Sequence, residues 1–164
     1  VFQALDEDSP RLLRVLRGAR RTDRSMIAKM AAERIFEQVR LEIAPDAPSR
    51  LHSAFLFGLA GIAAIFRRDS QPDTTIYRCV CSGNWIVAEA NKFTATPILT
   101  AALDETRLAG AVRRTRELAV AYWTGEFEDP TMCEVLLDGD ASYVEELRDV
   151  ALPPNAAPPP QFID

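Results

Sequence analysis

The 164-residue chain holds one histidine, His52, and that scarcity narrows its chemistry at once. A Ser–His or Cys–His dyad could use only this residue, and no nucleophile stands in an elbow or helix-start motif. His52 and Ser53 are neighbours on what reads as a strand, so their side chains would point to opposite faces. Seven glycines are scattered along the chain. Neither G-x-G-x-x-G nor G-x-x-x-x-G-K occurs, which removes phosphate-cradling loops and with them kinase and dinucleotide-dehydrogenase readings. Three cysteines are too few for a disulfide framework. Cys79 and Cys81 on a strand would share a face, but the C-x₂₋₄-C spacing of zinc sites is absent and no metal is expected. The cysteines read instead as small buried apolar residues of a reducing compartment. The longest apolar run, Ala54 to Phe66, has 13 residues and two glycines, short of the ~18 that a membrane helix needs. No membrane partner is expected.

What is present is an uneven charge. The net value is −5, yet residues 1–40 carry 9 basic and 6 acidic side chains while residues 104–164 carry 5 and 13. Arginines 11, 14, 17, 20, 21 and 24 form one drifting stripe on a helix, with Leu12, Leu13, Leu16 and Ala19 as the apolar face. Such a stripe is either a solvated face or a surface for phosphate or an acidic partner. The first residues are acidic and then arginine-rich, unlike a secretory signal, so the expected compartment is the cytoplasm.

The pattern predicts a strand at residues 1–5 and a helix started by Ser9-Pro10 and stopped near Gly18. A second helix follows from Asp23 to Ile43, with Met26, Ile27, Met30, Ile35, Val39 and Ile43 near one face. Pro45 and Pro48 end it. Arg50 to Phe57 reads as a strand, Leu59 to Arg68 as a short helix, and Thr74–Cys81 and Trp85–Ala88 as two strands. The longest clear helix runs to Trp123, apolar through Leu108, Val112, Leu118 and Tyr122. Cys133 to Leu137 reads as a core strand, and Asp138-Gly139-Asp140 as a hairpin turn into Ser142–Glu146. Five prolines fall in the nine residues from Leu152, which favours an extended tail. The expectation is one α+β domain over residues 1–150 and a proline-rich tail over 151–164.

Among the carboxylates, Glu134 opens the apolar run Met132-Cys133-Glu134-Val135-Leu136-Leu137. There it can face a pocket and remain ionised. A carboxylate so placed is suited to stabilising a sugar oxocarbenium ion during glycosidic cleavage, and the plain alternative is a solvated strand-edge glutamate.

The order of elements resembles the ADP-ribosyltransferase fold, in particular its small bacterial members. The stretches that carry the likeness are Pro48-Ser49-Arg50-Leu51-His52-Ser53-Ala54-Phe55-Leu56-Phe57, then Ile76-Tyr77-Arg78, Ala121-Tyr122-Trp123-Thr124-Gly125-Glu126 and Glu134-Val135-Leu136-Leu137-Asp138-Gly139. The resemblance covers roughly residues 1–148. The resemblance implies a split mixed sheet with packed helices and an enzyme that transfers ADP-ribose from NAD to a macromolecule, as a toxin or effector delivered to a target cell's cytoplasm would. It implies Glu134 as the catalytic carboxylate of the third strand. Phe55 stands in the place of the second-strand aromatic, and Gln3 in that of the first-strand histidine, so both motif positions depart from the family pattern. Arg50, Ser53 and Phe57 complete the implied NAD contacts, with Arg50 offering bidentate donors to phosphate. A competing register places Tyr77-Arg78 first and Phe93-Thr94-Ala95-Thr96 second. Met132 replaces the acidic residue found where the acceptor is arginine. A neutralising or chaperone partner belongs with the toxin reading. The alternative is a binding module of the same fold without turnover.

Overall fold

The computed structural model describes residues 21–94, 97–99, 105–129 and 131–153, without the side chains of 21–25, 70, 99, 105 and 106. The strand expected at residues 1–5 with Gln3, the helix expected from Ser9 to Gly18, the arginine stripe and the segment after Pro153 lie outside this description. In chain order come α1 (Arg21–Ile43), β1 (Ala54–Phe57), α2 (Ala60–Ser70), β2 (Ile76–Glu89), α3 (Ala90–Thr94), a 3-10 turn (Pro97–Leu99), α4 (Glu105–Thr124) and β3 (Cys133–Leu147). The three strands form one antiparallel sheet in the order β1-β3-β2. Helices and an antiparallel sheet segregated in this way make the chain α+β. Among the described residues no helix is long and apolar enough to cross a membrane.

The buried stripe of α1 is not the one its large apolar residues suggest. Ala28, Ala32, Ile35, Phe36 and Val39 are buried, whereas Met26 and Met30 are 60% and 65% exposed and Ile43 is also exposed. Small residues explain this correction: alanines let α4 approach closely, and Leu108, Ala111, Val112, Leu118, Ala119, Tyr122 and Trp123 of α4 fill the other side of the contact. Trp123 fixes the crossing, its indole N–H donating to the Phe36 carbonyl at 2.8 Å. Leu136 and Ala88 of the sheet close the same core.

Two expected breaks in the sheet are absent. The Ser82-Gly83-Asn84 and Asp138-Gly139-Asp140 segments pair with each other, Gly83 opposite Gly139, so β2 and β3 run on as single strands. The hairpin expected at Asp138-Gly139-Asp140 is thereby overturned. Each turn-prone segment is held extended by the backbone of the other, and a long ladder outweighs two local preferences. A Cβ on Gly139 would lie 2.1 Å from the Ser82 carbonyl oxygen, and Gly83 has φ +127°. Only glycine permits this crossing. The outer halves of β2 and β3 then project as a two-stranded ribbon with mostly exposed side chains, and β3 bulges where the register shifts between Arg78 and Cys79.

The first half of the strand expected from Arg50 is a turn, because Ser49 captures its backbone. The Ser49 carbonyl accepts from the amides of His52 (3.1 Å) and Ser53 (2.9 Å), and its hydroxyl accepts from Leu51 N at 3.2 Å. His52 is accordingly an exposed turn residue. The cysteines are not core residues either: Cys81 is exposed and Cys79 and Cys133 are half-buried, the first two because they lie on the projecting half of β2.

Candidate functional site: a buried arginine between two carboxylates

The site is built from the end of α1 outward. Arg40 reaches past the helix terminus and donates through Nη1 to the carbonyls of Pro45 (2.7 Å) and Ala47 (2.9 Å). Those groups would otherwise lack partners in a proline-broken connection. Glu37 holds the other side of the Arg40 guanidinium at 2.8 and 3.0 Å and accepts the Ser49 hydroxyl at 2.9 Å. The hydrogen bond from Arg40 holds the Glu37 carboxyl below its usual range, against burial, and Ser49 adds to it. Arg40 and Glu37 thus pin the Ser49 turn, and the turn sends Arg50 inward.

Arg50 is 6% exposed. Its Nε and Nη2 donate to Glu33 of α1 at 3.0 and 3.3 Å. Its Nη1 donates to the Tyr122 hydroxyl of α4 at 2.7 Å and to Glu134 Oε1 of β3. Tyr122 donates its own hydroxyl hydrogen bond to the same Glu134 oxygen, at 2.6 Å. Four rings surround the guanidinium, with centroids at 4.2 Å (Phe93), 4.8 Å (Phe55), 5.1 Å (Tyr122) and 5.8 Å (Phe36). Such faces attract a cation that has left water. Burial alone would depress the guanidinium, but Tyr122, Glu134 and Glu33 more than offset it and hold Arg50 above its ordinary value. Burial pushes the Tyr122 phenol well up; Arg50 opposes this and Glu134 adds to it. Arg50 is therefore a fixed cation and Tyr122 a fixed neutral donor.

Arg50 thus meets both Phe55 and Glu134. β1 and β3 pair with Phe57 opposite Glu134 and Phe55 opposite Leu136, so Phe55, Phe57 and Glu134 share one face of the sheet. The Phe57 ring turns toward Phe66 of α2, 5.3 Å away. The Ser53 hydroxyl is buried and has no hydrogen-bond partner among the described residues. Gln3 lies outside the description. Sequence reading missed Glu33 and the polar role of Tyr122, and it named Phe93 only in the competing register. Their one signal is indirect, since an arginine destined for the interior needs carboxylates around it. Beside the centre, an open groove of about 850 Å³ runs along α1. Glu33 lines it together with Met26, Met30, Glu37, Leu41 and Leu51, so this carboxylate links the groove to Arg50.

A second ionic cluster lies at the same end of the sheet, one register position beyond the Ala88–Glu134 pair. Lys92 of α3 is buried and pairs with Glu128, with Glu89 at 3.8 Å. Glu89 also accepts from the amide of Glu128 at 2.7 Å.

The fold and site define an α+β protein organised around a buried guanidinium bridging a helix and a sheet. Residues 7–149 match the model of a family described as "Protein of unknown function (DUF2441)", and the chain belongs to that family. No curated protein and no solved structure matches it.

Proposed function

We propose that the chain is an ADP-ribosyltransferase that uses NAD as substrate and Glu134 as its catalytic carboxylate. The observation that carries this reading is the pairing of β1 with β3. It sets Phe55 and Glu134 on one face of the sheet beside Arg50, three of the residues that the resemblance implies for the NAD site. Both side-chain hydrogen bonds to Glu134 fall on Oε1, which leaves Oε2 to face a ribose. The partnerless Ser53 hydroxyl beside the Arg50 turn supplies a further polar group for a ligand. Cleavage of the nicotinamide–ribose bond sends its electron pair to nicotinamide and leaves positive charge on the ribose. A carboxylate held in place by Arg50 and Tyr122 stabilises that charge as it develops, without having to reorganise. An acceptor nucleophile or water then attacks the ribose and gives up a proton.

Nicotinamide release from NAD tests this. Glu134→Gln keeps the oxygen that accepts from Arg50 and Tyr122 but removes the charge. Turnover is expected to fall by a factor on the order of 10² or more, with NAD affinity nearly unchanged. A wild-type protein that neither binds NAD nor releases nicotinamide would overturn the enzyme reading.

One observation favours a second reading, a binding module of the same fold without turnover. The Arg50 guanidinium fills the aromatic enclosure that a nicotinamide ring would otherwise enter. NAD binding without cleavage, unchanged in Glu134→Gln, is the outcome that this reading expects.

A further inference from the structure

The projecting β2–β3 ribbon carries chemistry of its own. Cys79 and Cys81 are two residues apart on extended backbone, so both side chains leave the same face. Their Sγ atoms stand 4.0 Å apart, Cys81 donating to Cys79, and both thiols are free. Across the ladder, Tyr143 stands opposite Cys79 and Ala141 opposite Cys81, followed by the Gly83–Gly139 pair. The Tyr143 ring turns toward Tyr77, 5.2 Å away; Cys79 is half-buried and Cys81 is open to solvent.

We propose that Cys79 and Cys81 form a two-thiolate binding site for a soft monovalent cation, copper(I). With metal–sulfur bonds of ~2.3 Å, two sulfurs lie ~3.8 Å apart across a tetrahedral centre and ~4.6 Å apart across a linear one. The observed 4.0 Å falls between these, so an ion enters by side-chain rotation and the strand stays extended. Coordination number selects the ion. Structural zinc takes four ligands, whereas among the described residues no group of three or more His, Cys, Asp or Glu is placed to hold a metal. The pair offers two soft donors only, and thiolates in low coordination prefer copper(I) to harder divalent ions. On loading, two S–H bonds break and two copper–sulfur bonds form. Two protons pass to solvent, and copper keeps its oxidation state.

The full chain, reduced and kept free of oxygen, is titrated with copper(I) against a chromogenic copper(I) chelator. One equivalent is expected to bind to wild type and to Cys133→Ser alike. Cys79→Ser and Cys81→Ser should each weaken binding by about a hundredfold or more, with circular dichroism unchanged. X-ray absorption of the loaded wild type should show two sulfur donors. Wild-type affinity in either single variant, loss of binding in Cys133→Ser, or copper that bridges two chains into a dimer would each overturn the site.

Discussion

Arg50 shows how much one residue can organise when its charge is taken out of water. An isolated guanidinium in the core would be prohibitive, and a buried pair gains stability only when its remaining donors are also satisfied. Here Glu33, Glu134 and Tyr122 satisfy them, each from a different element. Tyr122 is the member that can be removed without stranding a charge. Tyr122→Phe deletes the hydroxyl that bridges Arg50 to Glu134 and is expected to cost ~1–2 kcal/mol. The pH dependence identifies its origin. The phenol's folded pKa is raised above the ordinary value of 10.0, so its contribution is full below about pH 10 and is lost as pH rises beyond it. Urea midpoints measured from pH 8 to 11 should therefore fall less steeply in Tyr122→Phe than in wild type. Parallel curves would show that Tyr122 does not titrate with folding. Arg50 and Glu134 were both legible in the sequence as chemically marked residues. Their mutual contact was not, because 84 positions separate them and no local pattern encodes it.

At the scale of elements, the long ribbon is the feature that local preference argued against. Gly83 and Gly139 look like turn residues, and each would be one beside a less suitable partner strand. Paired with each other they become the point of closest approach between β2 and β3. Gly139→Ala would drive a methyl group into the Ser82 carbonyl, backbone against backbone, with no flexible side chain to yield. The expected loss is ~1–3 kcal/mol, or a melting temperature lower by about 5 °C. Differential scanning calorimetry checks it, and a wild-type melting temperature would mean that the strands separate at this pair. Helices were more legible. The apolar face of α4 through Leu108, Val112, Leu118 and Tyr122 is buried as its periodicity predicts. The face of α1 misled because size was read as burial: its methionines line the groove and its alanines meet α4.

Across the whole molecule, charge pairs tie the helical layer together and set its response to acid. Glu42 of α1 pairs with Arg116 of α4, and Glu37 pins both Arg40 and the Ser49 turn. The Glu37 carboxyl has its pKa lowered from an ordinary 4.5, chiefly by the Arg40 hydrogen bond. A depressed carboxylate contributes stability above its unfolded pKa and loses it as pH falls through the folded value. Wild-type stability should thus decline below about pH 4.5. Glu37→Gln should begin lower at neutral pH and decline less steeply between about pH 5 and 3. Acid titrations of the two proteins, followed by circular dichroism in moderate urea, give the comparison. Identical acid slopes would remove Glu37 from the linkage.

The sequence by itself determined the α+β class, α2 and α4, the end of α1 at the proline-broken connection, and the candidacy of Arg50, Phe55 and Glu134. These depend on periodicity, on the prolines after a helix end, and on charged groups embedded in apolar runs, all of which act within a few residues. The tertiary structure alone decided that β2 and β3 run unbroken, that Arg50 belongs to a turn, that the cysteines are not core, and that Glu33 and Tyr122 complete the site. Each of those outcomes is a contest between a local preference and a contact across many residues. The contact prevails where it satisfies several buried backbone or charged groups at once.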